Sequence, residues 1–551
     1  MALAFTRSIC LVGLDGHVVD VEAQSTSGLP AVTLVGLPDA ALREAKERVR
    51  AAIASIRIGW KEMRTTVNLS PAGLPKAGTA FDLALAVAML GSQGLVRLDR
   101  ARDVVHLGEV GLDGRLLPVR GVLPAVRAAL SHGFHKVMVP VGNAQEAGLL
   151  PGVEVIAMEH LADVATHYGG RPKGRPLRAE TPQEGSGQVG AAAGAEKTEE
   201  AGAAGAVDVV GAGVSGASGA GARVASVPGA PDLAEVVGQK TARLALEVAA
   251  AGGHHLLLVG SPGAGKTMLA ERLPGIMPPL TGQDVLDATA LHSLAGRLGA
   301  PRLLSTPPFQ APHHTATLPA ILGGGSGLPR PGAVSLAHAG VLFLDEAPEF
   351  AARVLDCLRQ PMESGSVTLH RSAGTATYPA RFQLVLAANP CPCGNAYSRR
   401  KQCTCTPMAR RRYMARLSGP LLDRIDLSVN VEPVTAVDLR ARAPESSAVV
   451  AARVLAARER ARARWRDYPW ELNSQVPGDV LRSPAGGLST ATTRAITSWL
   501  ERGETSLRAV DRILRVAWTL ADLAGSPRVE GEHLGKAYLL KMGVSDAMVT
   551  A

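Results

Sequence analysis

The sharpest chemistry in the chain is carried by Gly260-Ser261-Pro262-Gly263-Ala264-Gly265-Lys266-Thr267, which fits G-x-x-x-x-G-K-[ST] throughout. Glycines at these positions permit positive φ and a close approach of backbone to an anion. Successive N–H groups and the start of a helix then cradle phosphate, with the lysine reaching the β- and γ-phosphates and the hydroxyl holding Mg²⁺. Gly260 to Met268 is therefore the expected nucleotide cradle. Downstream, Val341-Leu-Phe-Leu-Asp345-Glu346 is an apolar run ending in two carboxylates. Asp345 suits the Mg²⁺ shell, and Glu346 suits orienting and deprotonating a water. A third apolar run, Phe382 to Asn389, ends in an amide able to hydrogen-bond a γ-phosphate or that water. The expected cofactors are ATP and Mg²⁺.

A second constellation is Cys391, Cys393, Cys403 and Cys405, two C-x-C pairs nine residues apart. Four thiolates so close in sequence could hold a tetrahedral Zn²⁺, and free thiols are the alternative. Around them lie Arg399, Arg400, Lys401, Arg410, Arg411, Arg412 and Arg416. A metal-pinned loop of that charge suits a nucleic-acid backbone. Between Glu363 and Arg381, two alternating runs flank Arg371-Ser-Ala-Gly374 and predict a hairpin. His370 and Arg371 near its tip are candidate phosphate contacts, an ordinary surface hairpin being the alternative.

These groups need strands and helices to position them. HHLLLV before the glycine-rich loop reads as a buried strand, MLAERLPG after it as a helix, and Ala234–Ala251 as a preceding helix. Up to about Val431 strands and helices alternate; from about Thr435 the pattern is helical. Before residue 169, strand-like runs (Val18–Ala23, Ala31–Val35, Arg64–Leu69, Lys136–Pro140) alternate with helical ones (Asp39–Ile53, Ala80–Leu90, Pro124–His132). Between about Gly169 and Gly229 the text is Gly/Ala/Ser-rich and aperiodic, a flexible linker. The expected division is 1–168, linker 169–229, an α/β core 230–432 and a helical region 433–551.

The composition narrows the class. Of 551 residues, 46% are hydrophobic and 19% charged, which excludes a wholly disordered chain. Six cysteines are too few for a secreted disulfide scaffold of this size, and Cys10 and Cys357 have apolar neighbours typical of core thiols. No apolar stretch reaches the ~20 residues that span a bilayer, and the first residues lack a secretion-signal pattern, so a cytoplasmic protein is expected. The net charge of +9 is compatible with a polyanionic partner.

The order of these motifs resembles AAA+ ATPases, and the longer phrases DLAEVVGQKTARLALEVAAAGGHHLLLVGSPGAGKT, PFQAPHHTATLPAILGGG, GAVSLAHAGVLFLDEAPEF, ARFQLVLAANPCPCG and LSGPLLDRIDL resemble the magnesium-chelatase-like ComM/YifB family. The resemblance covers about residues 3–545 outside the linker. It implies Asn389 as sensor 1, Arg424 as an arginine finger acting on a neighbouring subunit, Arg508 as sensor 2 from a helical lid, and Val237 and Gly238 as adenine contacts. It also implies a hexameric ring, a pore-facing role for the hairpin, and a second pore insertion at Leu318–Arg330. The plainer alternatives are an ion pair of Arg424 with Asp423 or Asp426, and a solvated helix face for Arg508.

Residues 3–168 resemble a Lon-protease-like α+β domain, through LPKAGTAFDLALAVAML and GEVGLDGRLLPVRGVLPAV. Its Ser–Lys dyad needs a hydroxyl and a lysine at positions that fall here on Ala80 and Leu123, with Thr79 one residue off. The implied function is a DNA branch-migration helicase acting in recombination of incoming DNA during natural transformation. A chelatase-type motor remodelling a protein partner is the alternative, and an ATP-dependent protease is disfavoured by Ala80 and Leu123.

Overall fold

The computed structural model describes the chain except 1–2, 37–39, 77, 175–230, 326, 373, 397–401, 436–437, 439, 441–443, 484–485, 504 and 544–551. Most of the expected linker, and Arg399, Arg400 and Lys401, lie outside the described residues. The chain forms two compact units, Met1–Val214 with Ser293–Arg302, and Ser215–His292 with Leu303–Ala551.

In the first unit, β1 (Leu3–Val12) and β2 (Asp15–Thr26) pair antiparallel from Leu3↔Gln24 to Val12↔Asp15. Gly13, at φ 70°, starts the tight connection between them. With β3 (Ala31–Val35), β4 (Arg64–Ser70), β5 (Val104–His106), β6 (Lys136–Pro140) and β7 (Glu154–Met158) they form a seven-stranded mixed sheet, order β3-β4-β2-β1-β5-β6-β7. Helix α1 (Ala40–Ser55) packs on α2 (Asp82–Ser92). All eleven residues of α2 are buried, as an all-round apolar helix requires. The strand-like and helical runs expected before residue 169 all fall within or across these elements and α3 (Val122–Ser131).

The second unit is built on β8 (Leu256–Gly260), β9 (Phe309–Gln310), β10 (Val341–Leu344), β13 (Gln383–Ala388) and β14 (Leu427–Val431). All pairings are parallel, order β9-β10-β13-β8-β14. The apolar runs LLLV, VLFL and QLVLAA are buried along their length, the pattern of a parallel sheet covered on both faces. Between β10 and β13 lies the expected hairpin, β11 (Ser366–Arg371) and β12 (Gly374–Pro379), closing at Arg371↔Gly374. Helix α4 (Lys240–Gly252) precedes β8, and α5 (Lys266–Arg272) follows it. The helical region contains α6 (Ser447–Arg464), α7 (Thr490–Glu501), α8 (Leu507–Ala524) and α9 (Gly531–Met542). Its core, including Val454, Ile513, Leu514 and Trp518, is continuous with that under β8.

Two expectations need correction. The helix expected at Ala234–Ala251 begins only at Lys240, because Gly238 and Gln239 adopt positive φ (69° and 47°). Cys10 is buried as expected, but Cys357 is only half-buried.

Candidate functional site

A parallel sheet puts the carboxyl ends of all its strands along one edge, and that edge is where ligands bind in open α/β folds. Gly260 ends β8, Asp345 follows β10 and Asn389 follows β13. Gly263 and Gly265 take φ of 76° and 91°, turning the chain into the start of α5 at Lys266. Gly260 can carry no side chain, since a Cβ there would lie 2.5 Å from the Val431 carbonyl oxygen.

The reactive groups converge. Lys266 is buried; its Nζ donates to Gly260 O (2.8 Å), Ser261 O (3.1 Å) and Asn389 Oδ1 (3.1 Å). Burial lowers its pKa, opposed by the charges of Asp345 and Glu346. The Thr267 hydroxyl donates to Asp345 Oδ2 (2.7 Å), so hydroxyl and carboxylate share the place where Mg²⁺ would sit. Asp345 Oδ1 accepts from the Glu346 N–H (2.8 Å). Glu346 is held at φ 50°, an unusual conformation for a side-chain-bearing residue, which turns its carboxylate out of the strand line. Val237 and Gly238 sit just before Gln239, whose Nε2 donates to Ala264 O (2.5 Å), so this segment lies directly against the phosphate loop.

Two participants were not legible. Gln239 clamps the loop, and His314 places Nδ1 3.4 Å from Glu346 Oε2. A glutamine before a helix and a histidine pair in a loop carry no local signal; only the sheet order brings them here.

The two arginines lie elsewhere. Arg424 precedes β14, at the sheet edge opposite the phosphate loop. Its ion pair is with Glu363, not Asp423 or Asp426. Asp426 instead accepts from Arg512 (2.6 Å) and contacts His254 Nδ1 (3.0 Å). Arg508 is exposed on the first turn of α8, one turn before Arg512.

The four cysteine sulfurs lie within 4.8 Å of one another, with three separations of 3.4, 3.5 and 3.6 Å. A tetrahedron with Zn–S of about 2.3 Å has edges of about 3.8 Å, so the donor set fits zinc. Backbone hydrogen bonding, chiefly from Asn395, lowers the Cys393 thiol to about 5, while burial raises Cys391 to about 11. The cluster begins two residues after Asn389, and Gly394 packs against Pro262 of the phosphate loop. Arg411 and Arg412 are exposed on the helix that follows, and Arg416 pairs with Glu349 (2.9 Å). At the hairpin, His370 and Arg371 are exposed; His370 Nδ1 contacts Thr375 Oγ1 (3.0 Å). Arg371 reaches toward Gly324, and Tyr378 donates to Pro329 O, so the hairpin touches the Leu318–Arg330 segment.

In the first unit, Thr79 Oγ1 donates to Glu109 Oε2 (2.6 Å). Ala80 has no hydroxyl, and Leu123 is buried. Asp82 is buried against Arg48 (3.1 and 3.2 Å) and accepts from Val110 N (3.3 Å). Its burial raises the carboxyl to about 7 despite Arg48.

A parallel sheet, a phosphate loop opening a helix, carboxylates at the adjacent strand end and a helical C-terminal region define an α/β P-loop protein of AAA+ type. Magnesium chelatase subunit ChlI models match residues 232–439, 21–143 and, for the C-terminal part, 444–541. The chain is 47% identical to a Mycobacterium tuberculosis protein over 96% of its own length and 97% of that one. It is 36% identical to Escherichia coli YifB (98% and 96% covered) and to Haemophilus influenzae competence protein ComM (98% and 97%). A stretch of 28% of the chain is 30% identical to 21% of a Mycolicibacterium smegmatis Lon protease. The chain therefore belongs to the ComM/YifB family of magnesium-chelatase-like AAA+ proteins. No helix among the described residues is long and apolar enough to cross a membrane.

Proposed function

We propose that the protein is a ring-forming cytoplasmic ATPase that couples hydrolysis to movement on DNA and drives branch migration when incoming DNA is recombined during natural transformation. The observation carrying this reading is the split between the two sheet edges. Lys266, Thr267, Asp345, Glu346 and Asn389 gather at the carboxyl edge, while Arg424 sits at the other, so a complete site needs a second copy. A hexamer is the assembly proposed. The competence-protein name of one relative supports the DNA role.

In this reading Lys266 neutralises the β- and γ-phosphates, and Asn389 holds the γ-phosphate through the amide that Lys266 already contacts. Glu346 orients and deprotonates the attacking water, with His314 fixing its carboxylate. Val237 and Gly238 flank the adenine. Thr267 and Asp345 would hold Mg²⁺, which neutralises charge developing on the phosphates. Arg424 reaches the neighbour's γ-phosphate, where a finger is worth ~10³–10⁵ in rate. Arg508 acts from the lid. Cys391, Cys393, Cys403 and Cys405 would hold Zn²⁺, and Arg399, Arg400 and Lys401, which lie between the two cysteine pairs in sequence, contact the DNA backbone. His370 and Arg371 contact the DNA backbone in the pore. The link from Asn389 through the cysteine loop would carry the state of the nucleotide to DNA-contacting charge.

The test is ATP-dependent branch migration of a synthetic four-way junction, wild type against Lys266→Ala. Migration lost in the variant is expected. A wild-type protein without migration and without DNA-stimulated ATPase would overturn the reading, and ATP-dependent remodelling of a protein partner instead would favour a chelatase-type motor.

A further inference from the structure

The amino edge of the second unit's sheet borders a cavity of about 1000 Å³. Its lining contains six arginines and four carboxylates, an excess of two positive charges. His255 also lines it, and burial holds that imidazole down to about 4, so it stays neutral at pH 7. Four arginines have an acidic partner: Arg381 with Asp284, Arg424 with Glu363, Arg512 with Asp426, and Arg462 with Glu471. Arg458 and Arg515 have no ion pair among the described residues. Arg458 donates Nε and Nη2 to one carbonyl, Ala250 O (3.0 and 2.6 Å), and Arg515 donates Nε to Val476 O (2.8 Å). Each keeps further N–H donors beyond those bonds. Burial holds both below the usual guanidinium range, aided by the charge of Arg462 at Arg458 and of Arg512 at Arg515, and opposed by Glu471 and Asp426 respectively.

Two half-buried guanidinium groups that make no direct ion pair keep donors an anion can take. A guanidinium fork matches phosphate oxygens in pairs. The volume exceeds what a single phosphate fills and lies at the upper end of ordinary ligand pockets. We propose that this cavity is a second anion site, which takes the terminal phosphates of a nucleoside triphosphate through Arg458 and Arg515. The chain's own phosphate loop opens on the opposite sheet edge, so the ligand comes from elsewhere. It is either the nucleotide held by a second copy or a free nucleotide. The first source rests on the ring reading above; the second does not.

The experiment uses the full chain carrying Lys266→Ala, which disables the phosphate loop. Inorganic tripolyphosphate is titrated into it by calorimetry at low and high salt, with and without Arg458→Gln and Arg515→Gln. Salt-sensitive binding is expected, weakened by roughly tenfold or more in the Gln variants, since each removes a charge-assisted contact. Arg458→Lys and Arg515→Lys should restore part of it; their failure to do so alongside a normal thermal melt counts against an electrostatic site. In a second arm, Lys266→Ala chains are mixed with Arg458→Gln/Arg515→Gln chains. Regained ATP hydrolysis identifies the neighbour's nucleotide as the ligand, and tripolyphosphate binding without regain identifies a free nucleotide. Neither binding nor regain, or Gln variants that behave like their parents in both arms, overturns the proposal. If the wild type hydrolyses no ATP at all, the ring reading fails while the tripolyphosphate arm still reports on the cavity.

Discussion

Two glycine-flanked turns in this molecule open onto helices, and they differ in what they do with their polar groups. At Gly265-Lys266 the groups come from three strands and meet at a sheet edge, with Thr267 and Glu346 exposed. At Gly78-Thr79-Ala80 the neighbouring polar groups satisfy one another: Thr79 with Glu109, and Asp82 with Arg48 and Val110. The hydroxyl and lysine of a protease dyad are replaced by Ala80 and the buried Leu123. The first arrangement leaves donors and a carboxylate for a ligand; the second closes on itself. A protease-like scaffold can thus persist once its chemistry is gone, because α2 is held by its all-round burial and not by the reactive groups.

The contrast breaks most visibly at Glu346. Glu346→Gln keeps the size of the side chain and removes the base. ATP hydrolysis should fall by ~10²–10⁴-fold while nucleotide binding persists. Steady-state hydrolysis together with equilibrium binding of a fluorescent ATP analogue reads both. Hydrolysis within a few-fold of the parent would mean that the carboxylate at this edge is as inert as Glu109.

How much of this was legible depended on locality. The phosphate loop, the VLFL run before Asp345 and the FQLVLAA run before Asn389 were readable because each is a short apolar segment ending in a polar residue. The hairpin was readable from its alternation. What escaped depends on pairing across the sheet. Gln239 reaches the loop only because Gly238 and Gln239 break the helix expected from Ala234. For Arg424 the alternative to an arginine finger was an ion pair with Asp423 or Asp426, yet its partner Glu363 lies on another element, and Asp426 serves Arg512 and His254. Arg458 and Arg515 carry no local signal, and only the fold places both at one cavity.

The cysteine cluster sharpens the same comparison at intermediate magnitude. If Zn²⁺ fills it, purified protein should hold about one zinc per chain, and Cys393→Ser with Cys403→Ser should lose it. Melting temperature and DNA-stimulated hydrolysis should both drop, while hydrolysis without DNA falls less. Protein free of bound metal, with a melt unchanged by the substitutions, would remove zinc from the proposal.

Two histidines, one in each unit, make folding sensitive to acid, and in the first unit the Asp82 carboxyl, held up to about 7 by burial, takes its proton in the folded state over the same window and opposes that effect. Burial holds His106, hydrogen-bonded through Nε2 to the Tyr168 hydroxyl (2.8 Å), down to about 4, and His255 likewise. An unfolded histidine takes up its proton near 6.5. Between those values these histidines bind protons only in the unfolded chain, so their contribution to stability is full above about 6.5 and falls as the pH drops toward 4. His106→Gln should flatten that decline in denaturant melts followed across the window, and an equally steep decline in the variant would assign the protons to other groups.

The smallest effect is expected at Thr79. Its hydroxyl donates to a carboxylate at 2.6 Å, and removing one charge-assisted bond between half-buried partners costs about 1–3 kcal/mol. Thr79→Val keeps the branched shape and deletes only the donor. A modest loss of stability is expected, with ATP hydrolysis unchanged, since Thr79 belongs to the other unit. The informative control is a peptidase assay on the wild type. Turnover there, abolished by Thr79→Val, would mean that the Thr79–Glu109 pair works as nucleophile and base, and that the first turn did not close on itself after all. Without turnover, the pair is a strut between the start of α2 and the strand carrying Glu109, and the chemistry of the chain stays with the second unit.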